Sequence, residues 1–259
     1  MKNWNYITVG LLLFVFSCSS NTQQERETKK DSMLYQLDDS VSEQPSVKLA
    51  KLNTQKPLDS YEITKSKLAV LKDKLANDYR TGKIDLDSVG RFFSYNLVYK
   101  ILPYWYGTPW TFEGHTNTPN KGEIACGYLI STTLKHFGMK VNRYKMAQQA
   151  ALVGLKMIAK PEDIKKFSND SFGDAAKKIE DSIGDGLYKV GFDYHVGYLY
   201  IDSLGMHFIH SNYMDPVAVI VENAHFSDAF NNTTAVYVTK ITNPFFLKKW
   251  LNKEEFSIP

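Results

Sequence analysis

The chain has 259 residues, 43% of them hydrophobic and 14% aromatic, which is ample for one buried core. Its 31 basic and 28 acidic side chains leave a formal net charge of +3, with the two signs interspersed. That balance provides no strongly basic field, so a nucleic-acid partner is not expected.

Met1 to Ser17 read as a signal peptide, with Lys2 as the positive start and an apolar run from Ile7 to Phe16. The run is too short to span a bilayer. It ends in Val15-Phe16-Ser17-Cys18, where a small residue precedes the cysteine; this resembles the bacterial lipobox, although Phe16 is bulkier than usual there. The resemblance implies export, lipid on Cys18 as the membrane anchor and, with Ser19 following, sorting to the outer membrane. Residues 18–58 are polar, with Pro45 and Pro57 and little periodicity, and read as a tether. Residues 59–259 remain for a single domain with helices at its start, expected to be a monomer.

From Ser60 a helical spacing begins, with Ile63, Leu68, Leu71, Leu75 and Tyr79 on one face and Gly82 as a stop. A second helix is predicted over Asp87–Ile101, turning Phe92, Phe93, Leu97 and Ile101 inward before Pro103. The aromatic, Gly/Pro-rich segment 104–123 cannot be regular and suits either a cleft wall or a core plug. Next, Leu129, Ile130, Thr133, Leu134 and Phe137 follow helical spacing up to Gly138, which places Cys126 in the first turn of a buried helix. Further helices are predicted over 145–159, from Pro161, and over 171–183. The last third carries five short β-branched and aromatic runs, at 186–192, 195–202, 206–212, 217–222 and 234–241. Such neighbours pair as an antiparallel meander, and Pro244–Leu251 reads as a closing helix. Helices followed by a sheet mean an α+β fold.

Cys18 and Cys126 are the only cysteines. If Cys18 carries lipid, Cys126 has no partner in an oxidising compartment, so it is either a reactive thiol or a buried inert one. A helix N-terminus favours the thiolate and offers N–H groups where an oxyanion would form. Gly127 beside it leaves room for backbone to approach a substrate carbonyl. A base has to come from elsewhere in the chain. His136 is nearly three turns away on the same helix, and His115 lies in the irregular segment. His195 opens a strand, with Gly197 permitting close packing. His207 and His210 are three apart on the next strand and so face opposite sides, and one of them would neighbour His195. The histidines at 195, 207, 210 and 225 also invite a metal reading. No HExxH and no acidic or cysteine partner at ligand spacing supports it, and neither GxSxG nor a P-loop is present.

Taken together, Gly107-Thr108-Pro109-Trp110, Ala125-Cys126-Gly127-Tyr128, His195-Val196-Gly197-Tyr198 and Phe208-Ile209-His210-Ser211 resemble the NlpC-type cell-wall cysteine peptidases, in the same order along residues 104–240. The resemblance implies a papain-like fold with the nucleophile helix packed on an antiparallel sheet. It implies Cys126 as nucleophile, His195 as base, His210 as the residue orienting it, and Trp110, Tyr106 and Gly127 along the substrate cleft. It further implies hydrolysis of amide bonds in peptidoglycan stem peptides without metal or cofactor. The aspartate and serine that flank the family's cysteine are Ala125 and Gly127 here, which leaves the bond cleaved open. Two other readings use the same residues: an inactive wall-binding lipoprotein, and an amide or acyl transferase.

Overall fold

A computed structural model describes residues 57–171 and 173–258; the signal segment, Cys18 and nearly all of the tether lie outside them. Among the described residues, no helix is long and apolar enough to cross a membrane. Ser60 accepts from the Ile63 N–H at 3.3 Å and starts a helix over Tyr61–Arg80 (α1). Its buried face is Tyr61, Thr64, Leu68, Lys72, Leu75 and Asp78, whereas Ile63, expected inside, is 49% exposed. The helix is rotated because polar groups anchor it: Thr64 Oγ1 and Tyr104 Oη are 2.7 Å apart, and Lys72 donates to the Gly138 carbonyl at 2.7 Å.

Asp85 caps Leu86–Asn96 (α2), and the chain continues through a widened π turn, Leu97–Ile101, and a 3-10 turn, Leu102–Tyr104. The four expected inward residues of this stretch are all buried. Pro103, which lacks an N–H, sits where the helical ladder has already loosened. Cys126–His136 (α3) is the buried helix expected, and Gly138 just after it takes φ +85°. Phe93, Phe137 and Trp250 meet at ring distances of 4.8–5.3 Å and join α2, α3 and the C-terminal helix.

The predicted helix over 145–159 is instead two short ones, Arg143–Ala147 (α4) and Ala151–Lys156 (α5). The chain breaks where the Ala147 carbonyl meets Gly127 of α3 so closely that a Cβ there would collide with it. Pro161 begins only a single 3-10 turn, Pro161–Asp163. An unforeseen strand, Lys165–Ser168 (β1), follows; its Lys-Lys-Phe-Ser sequence lacks apolar alternation because it is an edge. Gly173 precedes Asp174–Ser182 (α6).

The remaining strands are Gly186–Gly191 (β2), Val196–Asp202 (β3), Gly205–Ser211 (β4), Val219–Asn223 (β5) and Ala235–Lys240 (β6). They form one antiparallel six-stranded sheet in the order β1-β6-β2-β3-β4-β5. The meander therefore holds for β2 to β5. β6 departs from it: after a short helix, Asp228–Asn231 (α7), the chain returns to pair with β2 rather than β5. Alternation divides the sheet's side chains between two faces. On one, Val190, Leu199, Phe208 and Val238 pack against Ala175, Ala176 and Ile179 of α6. On the other, Tyr198 reaches Thr133 of α3 at 2.7 Å. Pro244–Leu251 (α8) is capped by Asn243 and closes the chain as expected.

Candidate active site

Ala125, in extended conformation, enters α3 without a side-chain cap. The first-turn N–H groups are therefore left open next to Cys126. The N–H groups of Cys126 and Gly127, together with that of Val196, face the sulfur and favour the thiolate. Burial outweighs them and pushes the Cys126 thiol above its ordinary value. The helix N-terminus does favour the thiolate as expected, but desolvation of the charged form is the larger effect. Val196 also places the thiol beside the start of β3, directly after His195.

His195 is 4% exposed, with its ring stacked near Phe192 at 5.9 Å. Its Nε2 lies 2.8 Å from His210 Nδ1, and His210 Nε2 lies 2.9 Å from Glu222 Oε1. Gly197 makes this approach possible, since a Cβ there would run into the Phe208 ring and lie 3.1 Å from His210 Cβ. The direction of each hydrogen bond follows from the far end. Burial pushes the Glu222 carboxyl up, but the hydrogen bonds of His210 and Ser227 prevail and hold it below its ordinary value. An ionised carboxylate only accepts, so His210 carries its proton on Nε2 and offers a lone pair at Nδ1. His195 then donates from Nε2, which leaves its Nδ1 lone pair as the basic site. Burial, and then the neighbouring His210, hold His195 well below the ordinary histidine value, so its neutral form dominates. Burial likewise lowers His210, with Glu222 opposing. Burial thus favours the neutral form of both the Cys126 thiol and the His195 imidazole, and the imidazole is aligned through His210 by a carboxylate.

Tyr213 lies between this relay and Trp110. Its ring is 5.2 Å from His195 and 6.1 Å from Trp110. Burial raises its hydroxyl's pKa, and a negative charge on Cys126 raises it further, so Tyr213 lies near Cys126 as well as His195. Trp110 is half-buried and held by its N–H to the Val217 carbonyl at 3.2 Å. The other two expected cleft residues sit differently. Tyr106 is half-buried, and its hydroxyl is buried with no hydrogen-bond partner among the described residues. The space beside Gly127 is filled by the Ala147 carbonyl and is closed to a substrate backbone.

Of the remaining histidines, His207 faces away from the relay, with Nε2 3.3 Å from Asp202 Oδ1. His136 is bound to Tyr61 Oη at 2.9 Å, and His225 to Glu180 at 3.4 Å. His115 lies in an open groove of about 960 Å3, whose walls include Phe112, Glu113, Glu123 and Tyr144. The groove runs beside the approach to Cys126, because the Ala125 N–H donates to the Gly114 carbonyl at 2.7 Å. Glu222, Tyr213 and Lys189 were not singled out from the sequence. The signal for Glu222 was register: Phe208 pairs with Glu222 and His210 with Ile220, which puts His210 and Glu222 diagonally on one face. Comparison of the chain with protein-family models, curated proteins and solved structures returned no match.

Proposed function

We propose that this protein is a papain-like cysteine hydrolase that cleaves amide bonds in peptidoglycan stem peptides, exported and held at the outer membrane by lipid on Cys18. The observation that carries the reading is the one-way hydrogen-bond relay from Glu222 through His210 to His195, the residue before Val196, whose N–H faces the Cys126 thiol. Such a relay is what nucleophilic catalysis by a thiol requires. As Sγ attacks the substrate carbonyl, its proton passes to His195 Nδ1. The imidazolium that forms is stabilised through His210 by the charge on Glu222. His195 then gives the proton to the leaving amine, and water, deprotonated by the same nitrogen, releases the acyl group. In this reading the N–H groups at the start of α3 stabilise the oxyanion. Because both partners rest neutral, proton transfer accompanies attack and no standing ion pair is needed. The aromatic row Trp110–Tyr213 forms one wall for the substrate.

One observation favours the inactive binding protein as the second reading: burial raises the Cys126 thiol rather than lowering it. Digestion of purified peptidoglycan by the protein and by its Cys126→Ala variant, read by mass spectrometry, separates the two. Stem-peptide fragments from the wild type alone are expected. No fragments from either, together with Cys126 alkylating no faster than an ordinary thiol, would overturn the hydrolase reading.

A further inference from the structure

Three cationic side chains are buried among the described residues, and two of them are well partnered. Lys72 donates to the Gly138 carbonyl and lies over the Trp250 ring at 4.6 Å. Arg143 bonds Thr132 Oγ1 at 2.8 Å and the His115 carbonyl at 2.8 Å. Lys189 of β2 is the exception. It is 3% exposed and makes no hydrogen bond or ion pair among the described residues. Its Nζ abuts α5, where a Cβ at Gly154 would stand 2.6 Å from it.

Beside Lys189 lies a narrow cavity of about 20 Å3, lined by Gly127, Ala147, Gln149, Gly154 and Val196 among others. No other titratable side chain lines it. Titratable residues adjoining the lining in sequence are Cys126 and Tyr128 on either side of Gly127, Lys145 before Met146, Lys156 two after Gly154, and His195 before Val196, none of which lines the cavity itself. Tyr198, paired with Lys189 in register on β3, has its hydroxyl turned to Thr133, and β6 contributes uncharged Thr239. An ammonium with three donors and no acceptor is strongly disfavoured in such a place. A space of this size holds about one or two water-sized particles.

We propose that Lys189 and this cavity form a binding site for a small monovalent anion, either a halide ion or the carboxylate head of a larger ligand. The anion supplies the counter-charge that the fold omits, and the cavity's size excludes tetrahedral oxyanions. Its occupant lies behind the backbone of Gly127 and Val196, the two residues that follow Cys126 and His195, yet the site does not depend on the hydrolase reading. Burial alone pushes Lys189 down to about 7. An anion binds the protonated amine, so occupancy raises that midpoint. Affinity is greatest below the midpoint and falls by up to about tenfold per pH unit above it.

The test follows the Lys189 side-chain NMR signal of the whole protein, assigned by its loss in Lys189→Met, through pH titrations in chloride, formate and sulfate at equal ionic strength. A midpoint raised by about one unit or more in chloride or formate, but not in sulfate, is expected. A rise in chloride identifies an inorganic-anion site, and a rise in formate alone identifies a carboxylate site. Gly154→Ala, whose methyl group would press on Nζ, is expected to abolish the rise; it serves as the second variant should Lys189→Met fail to fold. The same midpoint in all three salts would mean that the cavity holds only water, and would overturn the proposal.

Discussion

Two histidine networks, one half-buried around His136 and one buried around His195 and His210, differ in what they leave over. In the first, Trp105 donates to Tyr61 Oη at 2.9 Å, Tyr61 Oη meets His136 Nδ1 at 2.9 Å, and His136 Nε2 meets Asn117 at 3.2 Å. Both ring nitrogens of His136 are occupied, and the network ties α1 to the end of α3. In the second, Glu222, His210 and His195 form a chain that uses three of the four ring nitrogens and leaves His195 Nδ1 without a hydrogen bond among the described residues. Burial lowers the pKa in both, to about 4 for His136. A depressed histidine is therefore no mark of function by itself; what separates them is the unused lone pair of a residue whose chain neighbour, Val196, faces a thiol.

The largest effect should come from removing that thiol. Cys126→Ala is expected to lower hydrolysis at least about a thousandfold while leaving the unfolding midpoint nearly unchanged. Glu222→Gln tests the direction of the relay. Glutamine's amide can donate to His210, which reverses both tautomers and directs an N–H from His195 at the thiol. A loss of about a hundredfold or more in kcat with little change in KM is expected. An activity within a factor of about two of wild type would show that the carboxylate does not orient the base. The other network should behave in the opposite way. Tyr61→Phe leaves the Trp105 N–H and His136 Nδ1 unpaired, so a loss of about 1–3 kcal/mol in denaturant unfolding is expected, with hydrolysis unaffected.

The two networks were also unequally legible in the sequence. Cys126, His195 and His210 stood out because strand alternation and a helix start place them, and the strands themselves were marked by β-branched and aromatic runs. Glu222 was hidden because it belongs to the site only through register on a third strand. The break between α4 and α5 was hidden for a related reason: the 145–159 stretch reads as one helix, and only the contact of Ala147 with Gly127 ends it. Ile63 misled because α1 is oriented by Thr64 and Lys72, polar residues that an apolar-periodicity argument ignores. Lys189, in the middle of Leu187-Tyr188-Lys189-Val190, reads as an outward strand residue until α5 is seen to cover it. In each case a tertiary partner outweighed the local pattern.

Acid should separate the networks in a last, smaller way. His136, His195 and His210 are all depressed in the folded protein, so below the ordinary value of 6.5 the unfolded chain takes up protons that the folded one refuses. Stability is then full above 6.5 and declines as the pH falls toward about 4, where His136 itself protonates. His136→Gln should flatten part of that decline, measured as the urea midpoint against pH, and the two relay histidines should maintain the rest. In the proposed mechanism, catalysis follows only one of the networks. Hydrolysis needs neutral His195, whose burial keeps it neutral well below 6.5, so the acid limb of kcat/KM should lie below the ordinary histidine range. The same His136→Gln change should leave that limb where it is. A limb near 6.5 would mean that the working base is a more exposed group than His195, and a limb that moves with His136 would join two networks that the structure keeps apart.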